Sequence, residues 1–361
     1  MKKKKLKSKN QPVRTRNWEE NHEHSFTHDR ARHRRAQPVR SETAEDLDPL
    51  PSVFEPNGEV FSHSKKWAFV LKDGAEILCI IDERLKEQNA TLLVPGDRVL
   101  VEYEEGQAIV RGVAPRLTRL SRPAGDHARV GEQIFAANLD VLLIVAAAKN
   151  PIFRPGLVDR YLIAAEQGGV DAVLCLNKID LVEEMPEDLQ LYRDLGMPVF
   201  PISCKTGAGI DPLLAHIRGK LCVLSGHSGV GKSTLLNRLD PDLDLDTQEV
   251  SQSTQRGRHT TTASRLYQLG GGTRIIDTPG IRALGLWRVD PEEVAFYFPE
   301  LAAAAANCHF RNCTHTHEPD CGVKAGLDDG TVLPQRYASY LRIRASLESD
   351  ENITPGRMFA L

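Results

Sequence analysis

Long apolar runs are missing from this 361-residue sequence. The longest that reads as a structural element, Val141 to Ala148, is too short to cross a bilayer. Residues 1–40 also lack the apolar stretch of a secretory signal, so a soluble cytoplasmic protein with no membrane partner is expected. No repeat of solenoid period is present, which excludes a stacked-repeat architecture. Cysteine is sparse and unevenly placed. Cys79, Cys175, Cys204 and Cys222 stand singly among apolar neighbours, as thiols do in a reducing compartment, whereas the other three of the seven crowd between Cys308 and Cys321. Net charge is small at -3, but residues 1–40 hold 13 Lys and Arg against 4 Asp and Glu, leaving 33 against 45 on the rest. Such an arm reads either as a segment attracted to polyanions or as a solvating tail.

A hydrophobic content of 41% over this length supports two or three globular units. Residues 1–57 are polar and proline-punctuated, a basic disordered tail and linker. Over 58–138, short β-rich runs such as Trp67–Leu71, Glu76–Ile81 and Asp97–Val101 are separated by Gly74, Pro95-Gly96 and Glu105-Gly106. Five or six strands in so few residues predict an OB-like β-barrel, with a small sandwich as the alternative. From Val141, continuous apolar strands alternate with helical stretches (Val141–Val145, Ala172–Leu176, Val199–Ile202, Leu221–Leu224, Arg274–Ile276), which predicts a mainly parallel α/β sheet over 139–289. Residues 290–361 read as helical around a Cys/His cluster. The expected chain is a multidomain α/β protein.

Gly226-His227-Ser228-Gly229-Val230-Gly231-Lys232-Ser233 matches the phosphate-loop pattern in full, between the strand Leu221–Leu224 and a helix starting near Ser233. Backbone amides there can turn inward around β- and γ-phosphates, Lys232 adds a cation and the Ser233 hydroxyl ligates Mg²⁺, with Thr234 counted among the nucleotide contacts. Asn177-Lys178-Ile179-Asp180 directly follows a strand, and the Asp180 carboxylate can accept from the two guanine N–H groups that adenine does not offer. Ser203-Cys204-Lys205, after the next strand, suits the companion loop facing the guanine oxygen. Asp277-Thr278-Pro279-Gly280 offers a carboxylate near Mg²⁺ and a Gly280 amide for a γ-phosphate. Between these lies Gly257-Arg258-His259-Thr260-Thr261-Thr262, with the character of a switch loop in which one threonine, Thr261 by preference, reaches the metal.

Cys308, Cys313, His315 and Cys321 make three thiolates and one imidazole, the complement of a closed tetrahedral zinc site. His309 and His317 compete with His315 for the fourth place, and buried thiols without metal are the alternative.

The base motif at 177 precedes the phosphate loop at 226, the reverse of the usual order. This permuted arrangement, with a small barrel before it and Cys308-x₄-Cys313-x-His315-x₅-Cys321 after it, closely resembles the ribosome-small-subunit-dependent GTPase A family (RsgA, also called YjeQ) from about Gly58 onward. The resemblance implies an OB-like barrel, a circularly permuted P-loop GTPase domain and a small C-terminal zinc-binding helical domain. It favours His315 as ligand, and it implies binding of GTP and GDP, one structural Zn²⁺, contact with the small (30S) ribosomal subunit and 16S rRNA, stimulation by the subunit, and a role in its late maturation; a monomer is expected. Independently of the family, permutation sets the switch at 257–280 directly before the C-terminal domain, where its movement can pull on that module.

Two polar residues common in GTPases are missing. Ile281 stands where a water-orienting Gln follows the Asp-x-x-Gly glycine, so another group must orient water, and His259 is the nearest polar candidate beside Lys232 and Thr261. Gly229 stands where some related enzymes carry an Asn that helps recruit potassium, so the sequence gives no ground for assuming potassium activation. A GTP-binding scaffold with negligible hydrolysis is the rival reading, and Asp180 disfavours an ATPase.

Overall fold

The computed structural model describes residues 51, 53–64, 66–88, 93–124, 131–240, 243, 265–277 and 285–353. Strands β1 (Gly58–His63), β2 (Trp67–Lys72) and β3 (Ala75–Ile81), the short helix α1 (Glu83–Gln88), and strands β4 (Arg98–Glu104) and β5 (Gln107–Val113) form a closed barrel ordered β1-β2-β3-β5-β4. Two hairpins are cut at Asp73-Gly74 and Glu105-Gly106, where all four residues have positive φ, the backbone that matches strand twist in a two-residue turn. Alternate residues point inward, and Val60, Val70, Cys79, Val99 and Val110 make the barrel core. Because β5 pairs with β3 on one side and β4 on the other, no edge remains for the next strand. Strands β6 (Arg119–Ala124) and β7 (Gly131–Ala137) therefore form a separate two-stranded ribbon, so the 58–138 block is a barrel plus a ribbon.

The second sheet has six strands: β8 (Val141–Ala147), β9 (Asp171–Asn177), β10 (Val199–Pro201), β11 (Leu221–Ser225), β12 (Arg265–Gln268) and β13 (Arg274–Asp277), in the order β10-β9-β8-β11-β13-β12. All neighbours are parallel except β12 with β13. Helices α2 (Pro155–Gly168), α3 (Asp188–Asp194), α4 (Ile210–Ile217) and α5 (Lys232–Leu239) provide the crossovers. The strand period of two divides the side chains between faces: Leu143, Val145, Cys175 and Leu224 meet α4 and α5, while Leu142, Ile144, Leu174 and Val223 meet α2 and α3. Each such buried aliphatic chain stabilises by roughly 1.5–3 kcal/mol, so both faces need cover.

Helices α6 (Pro299–Ala305), α7 (Gly322–Asp329) and α8 (Pro334–Ile353) supply the rest of that second cover, with Leu301, Val323, Tyr340 and Ile343 sharing one core with α2. At the centre Arg336 of α8 is buried; it donates to Asp159 of α2 and, at 2.5 Å, to Glu300 of α6, and lies 4.3 Å above the Phe298 ring. At the other end of the sheet Arg274 pairs with Glu59 of β1, and the Asn138 amide donates to the Gly96 carbonyl at 2.8 Å, which ties barrel and sheet together. Among the described residues no helix is long and apolar enough to cross a membrane.

Candidate nucleotide site and metal centre

Parallel strands bring their carboxyl ends to one edge, where α/β proteins bind ligands. On that edge β9 ends at Asn177, β11 at Ser225 and β13 at Asp277, and Ser203 follows β10 after one intervening residue. Asp277 is in register with Leu224, one strand from the start of the phosphate loop.

That loop runs from Gly226 into the first turn of α5, which carries Lys232, Ser233 and Thr234. Gly231 combines a φ of +97° with a wall: a Cβ there would lie 2.4 Å from the Asn177 Nδ2. Only glycine meets both conditions. The Lys232 ammonium folds over the loop and donates to the carbonyls of Gly226 (2.8 Å) and His227 (3.1 Å). His227, Ser228 and Gly229 are exposed at the crest, and Val230 is anchored in the core.

Asn177 is buried and both ends of its amide are used. Nδ2 donates to the Val230 carbonyl at 2.9 Å and Oδ1 accepts from the Cys204 amide at 3.1 Å, so this residue fastens the phosphate loop to the companion loop. Lys178, at φ +63°, donates to the Gly229 carbonyl at 2.6 Å and to that of Asn150. Asp180 stays exposed in a 3-10 turn, and its Oδ1 accepts from the buried Ser203 hydroxyl at 2.6 Å. Ser203 Oγ in turn accepts from the Thr206 amide at 3.1 Å, which fixes the hydroxyl's direction. Burial pushes the Cys204 thiol up to about 11, so it behaves as an apolar wall rather than a nucleophile, while Lys205 is exposed. Motif reading missed two neighbours: Asn150, for which the turn-forming Asn-Pro pair was the available signal, and Arg238, whose guanidinium lies where a Cβ on Gly207 would come within 2.3 Å. The switch Gly257–Thr262, with His259 and Thr261, and the segment with Gly280 and Ile281 lie outside the described residues.

The second site lies between α6 and α7. Cys308, Cys313, His315 and Cys321 bring their ligand atoms within 4.8 Å of one another, a group that could hold a metal ion. Cys308 Sγ is 3.9 Å from Cys321 Sγ, and each is 3.5 Å from His315 Nδ1. Metal–sulfur bonds of about 2.3 Å in a tetrahedron set sulfurs roughly 3.8 Å apart, so the donor set fits such an ion. Burial lowers the His315 pKa and keeps the imidazole neutral, as a ligand must be. His309 instead stacks edge-on against Phe310, and His317 is 83% exposed, which decides the competition among the histidines.

A phosphate loop, a base-reading loop ahead of it in the chain and a shared strand edge define a circularly permuted P-loop GTPase. The family model for the RsgA GTPase matches residues 113–287. The chain is 38% identical over 311 residues to the small ribosomal subunit biogenesis GTPase RsgA of Shewanella oneidensis (82% of this chain, 85% of that one), and 39% over 292 residues to the protein of the same name from Gemmatimonas aurantiaca (78% and 94%). The chain belongs to the RsgA GTPase family and is a GTP hydrolase. Its fold is similar to the crystal structure of YjeQ from Thermotoga maritima (TM-score 0.65, 31% identity, 81% of this chain and 98% of that one) and to YloQ, a circularly permuted GTPase (0.62, 26%, 82% and 96%).

Proposed function

We propose that the chain hydrolyses GTP to GDP and phosphate in a cycle that governs its contact with the small (30S) ribosomal subunit, as a cytoplasmic monomer acting late in the subunit's maturation and touching 16S rRNA. The observation that carries this reading is 38% identity across 82% of the chain to a relative named for small-subunit biogenesis. The proposed division is a tail to 57, a barrel block to 138, a GTPase domain to 289 and a zinc-binding domain beyond.

In this reading Asp180 accepts from the guanine N–H groups, Asn177 and Lys178 shape the base loop, and the amides of Ser203-Cys204-Lys205 face the guanine oxygen. The amides of residues 226–234 and the Lys232 ammonium, which would exchange its loop carbonyls for phosphate oxygens, hold the polyphosphate. Ser233 and Thr261 ligate Mg²⁺ with Asp277 nearby, and the Gly280 amide meets the γ-phosphate. Mg²⁺ supplies charge neutralisation at the phosphates. His259 orients the attacking water in place of the Gln that Ile281 replaces. Cys308, Cys313, His315 and Cys321 hold a structural Zn²⁺, so elemental analysis of protein purified without chelator is expected to find about one zinc per chain, reduced in Cys313→Ser. Zinc near zero in the unmodified chain would reject the ligand set.

The test of the cycle is co-sedimentation with isolated small subunits. Binding should be tighter with a non-hydrolysable GTP analogue than with GDP, because γ-phosphate alone can order the switch ahead of the C-terminal module. It should also weaken steeply with salt, as Lys and Arg contacts to RNA phosphates release counterions. Equal affinity in both nucleotide states would reject the cycle. In a multiple-turnover phosphate-release assay with and without small subunits, His259→Ala, which should still bind GTP in an equilibrium titration, is expected to lose about 10² of the subunit-stimulated turnover. Unchanged turnover would return His259 to the loop.

A further inference from the structure

The segment that presents His315 to the ligand cluster has an unusual backbone. His315 has φ +56°, the left-handed region that a residue with a Cβ seldom adopts, and it does so while its Nδ1 is held 3.5 Å from two cysteine sulfurs. Something outside the cluster must keep the turn in this shape, and the hydrogen bonds name two holders. On the carbonyl side, α8 grips the turn: Tyr337 Oη donates to the His315 carbonyl at 2.6 Å, while Tyr340 Oη and Arg344 Nη1 donate to the Thr314 carbonyl at 2.8 and 2.9 Å. On the amide side a single carboxylate does the work. Glu318 Oε1 accepts from the Thr314 amide (2.8 Å) and hydroxyl (2.5 Å), and Oε2 accepts from the amides of Thr316 (3.0 Å) and His317 (3.2 Å). Its own carbonyl receives the Lys324 ammonium from α7 at 3.2 Å.

We propose that Glu318 is a positioning residue of the metal centre: by closing residues 314–318 into a hydrogen-bonded ring it holds His315 in the left-handed turn that aims Nδ1 at the ion. The inference rests on the reading that the Cys₃His set binds zinc. A side chain that accepts four hydrogen bonds from one turn has no oxygen left to coordinate, so Glu318 acts through His315 and is not itself a ligand. The partners on α8 take the carbonyls of Thr314 and His315, whereas Glu318 takes the amides of 314, 316 and 317. Supporting partners of metal ligands commonly govern affinity by 10- to 100-fold, and the same range is expected here.

The experiment uses the full-length chain, first assayed for zinc, then loaded with Zn²⁺ or with Co²⁺ as a visible probe and titrated with a competing chelator. The unmodified chain is expected to hold one ion with the cobalt bands of three thiolates and one imidazole. Glu318→Ala should keep one ion at saturating metal but bind it roughly 10- to 100-fold more weakly, with cobalt bands shifted toward loss of the imidazole. Glu318→Gln, which retains an oxygen for Thr314, should recover part of the affinity and fold even if the alanine variant does not. In a His315→Ala background, adding Glu318→Ala should change affinity no further, an outcome that a purely local role in loop stability would not produce. Glu318 variants with unchanged affinity and cobalt bands would overturn the proposal, as would an additive loss in the double variant. A full-length chain that binds no metal would instead overturn the metal reading beneath it.

Discussion

Asp180→Asn is expected to lower affinity for GTP by a factor on the order of 10⁴ and to raise affinity for xanthosine triphosphate. The reason lies in how Ser203 holds the side chain. Its buried hydroxyl donates to Asp180 Oδ1 at 2.6 Å and is itself fixed by the Thr206 amide, so an asparagine keeps its oxygen toward Ser203 and turns its Nδ2 toward the base. Donors on the amide then face the two N–H groups of guanine, and buried polar groups left unpaired cost far more than a lost contact alone. Xanthine carries a carbonyl in place of the amine and can accept from that Nδ2. Equilibrium titration with both nucleotides reads the exchange. GTP affinity equal to that of the unmodified protein would remove Asp180 from the site.

Arg336→Ala is expected to destabilise the fold by about 3–5 kcal/mol, the range found when one partner of a buried ion pair is removed. Arg336 is 2% exposed, and it is the shared donor for Asp159 on α2 and Glu300 on α6. Burial works against its charge, yet Glu300 and Asp159 hold its pKa above the ordinary value. Without it Asp159, already pushed up by burial, loses its cationic partner and keeps the neutral donor Tyr192 Oη at 3.0 Å. The Phe298 ring also loses its cation. For a chain of this size a fall in melting temperature on the order of 10 °C should follow. Arg119→Ala is the control: its pair with Glu132 leaves the arginine 47% exposed, where an ion pair contributes at most about 1 kcal/mol. Equal melting temperatures for the two variants would show that Arg336 does not hold α8 to α2 and α6.

Agreement between sequence and structure is best where the physics is local. The turns at Asp73-Gly74 and Glu105-Gly106, the apolar strands from Val141 and the phosphate loop behind Leu221–Ser225 depend on φ, on a period of two and on adjacent backbone amides, all properties of neighbouring residues. β12 and the ribbon of β6 and β7 were not legible, because their existence depends on which sheet edges other strands leave unpaired. The same division runs through the sites. Cys308, Cys313 and Cys321 read as candidate metal ligands by composition, but three histidines are equivalent until the fold stacks His309 on Phe310 and exposes His317. Asn177 reads as part of a base motif, and only the folded chain shows it spanning 53 positions to Val230 and 27 to Cys204.

By itself, then, the sequence determined the order of the nucleotide motifs, the chemical identity of their donors and acceptors and the four-donor complement near residue 315, since each is written in residue type and short spacing. Tertiary structure alone decided which histidine enters the cluster, that Glu318 closes the turn behind it, and that Arg336 and Asp159, 177 positions apart, bind the C-terminal helices to α2. Those contacts join residues remote along the chain. Their strength comes from burial and direction, which exist only after every intervening element has packed.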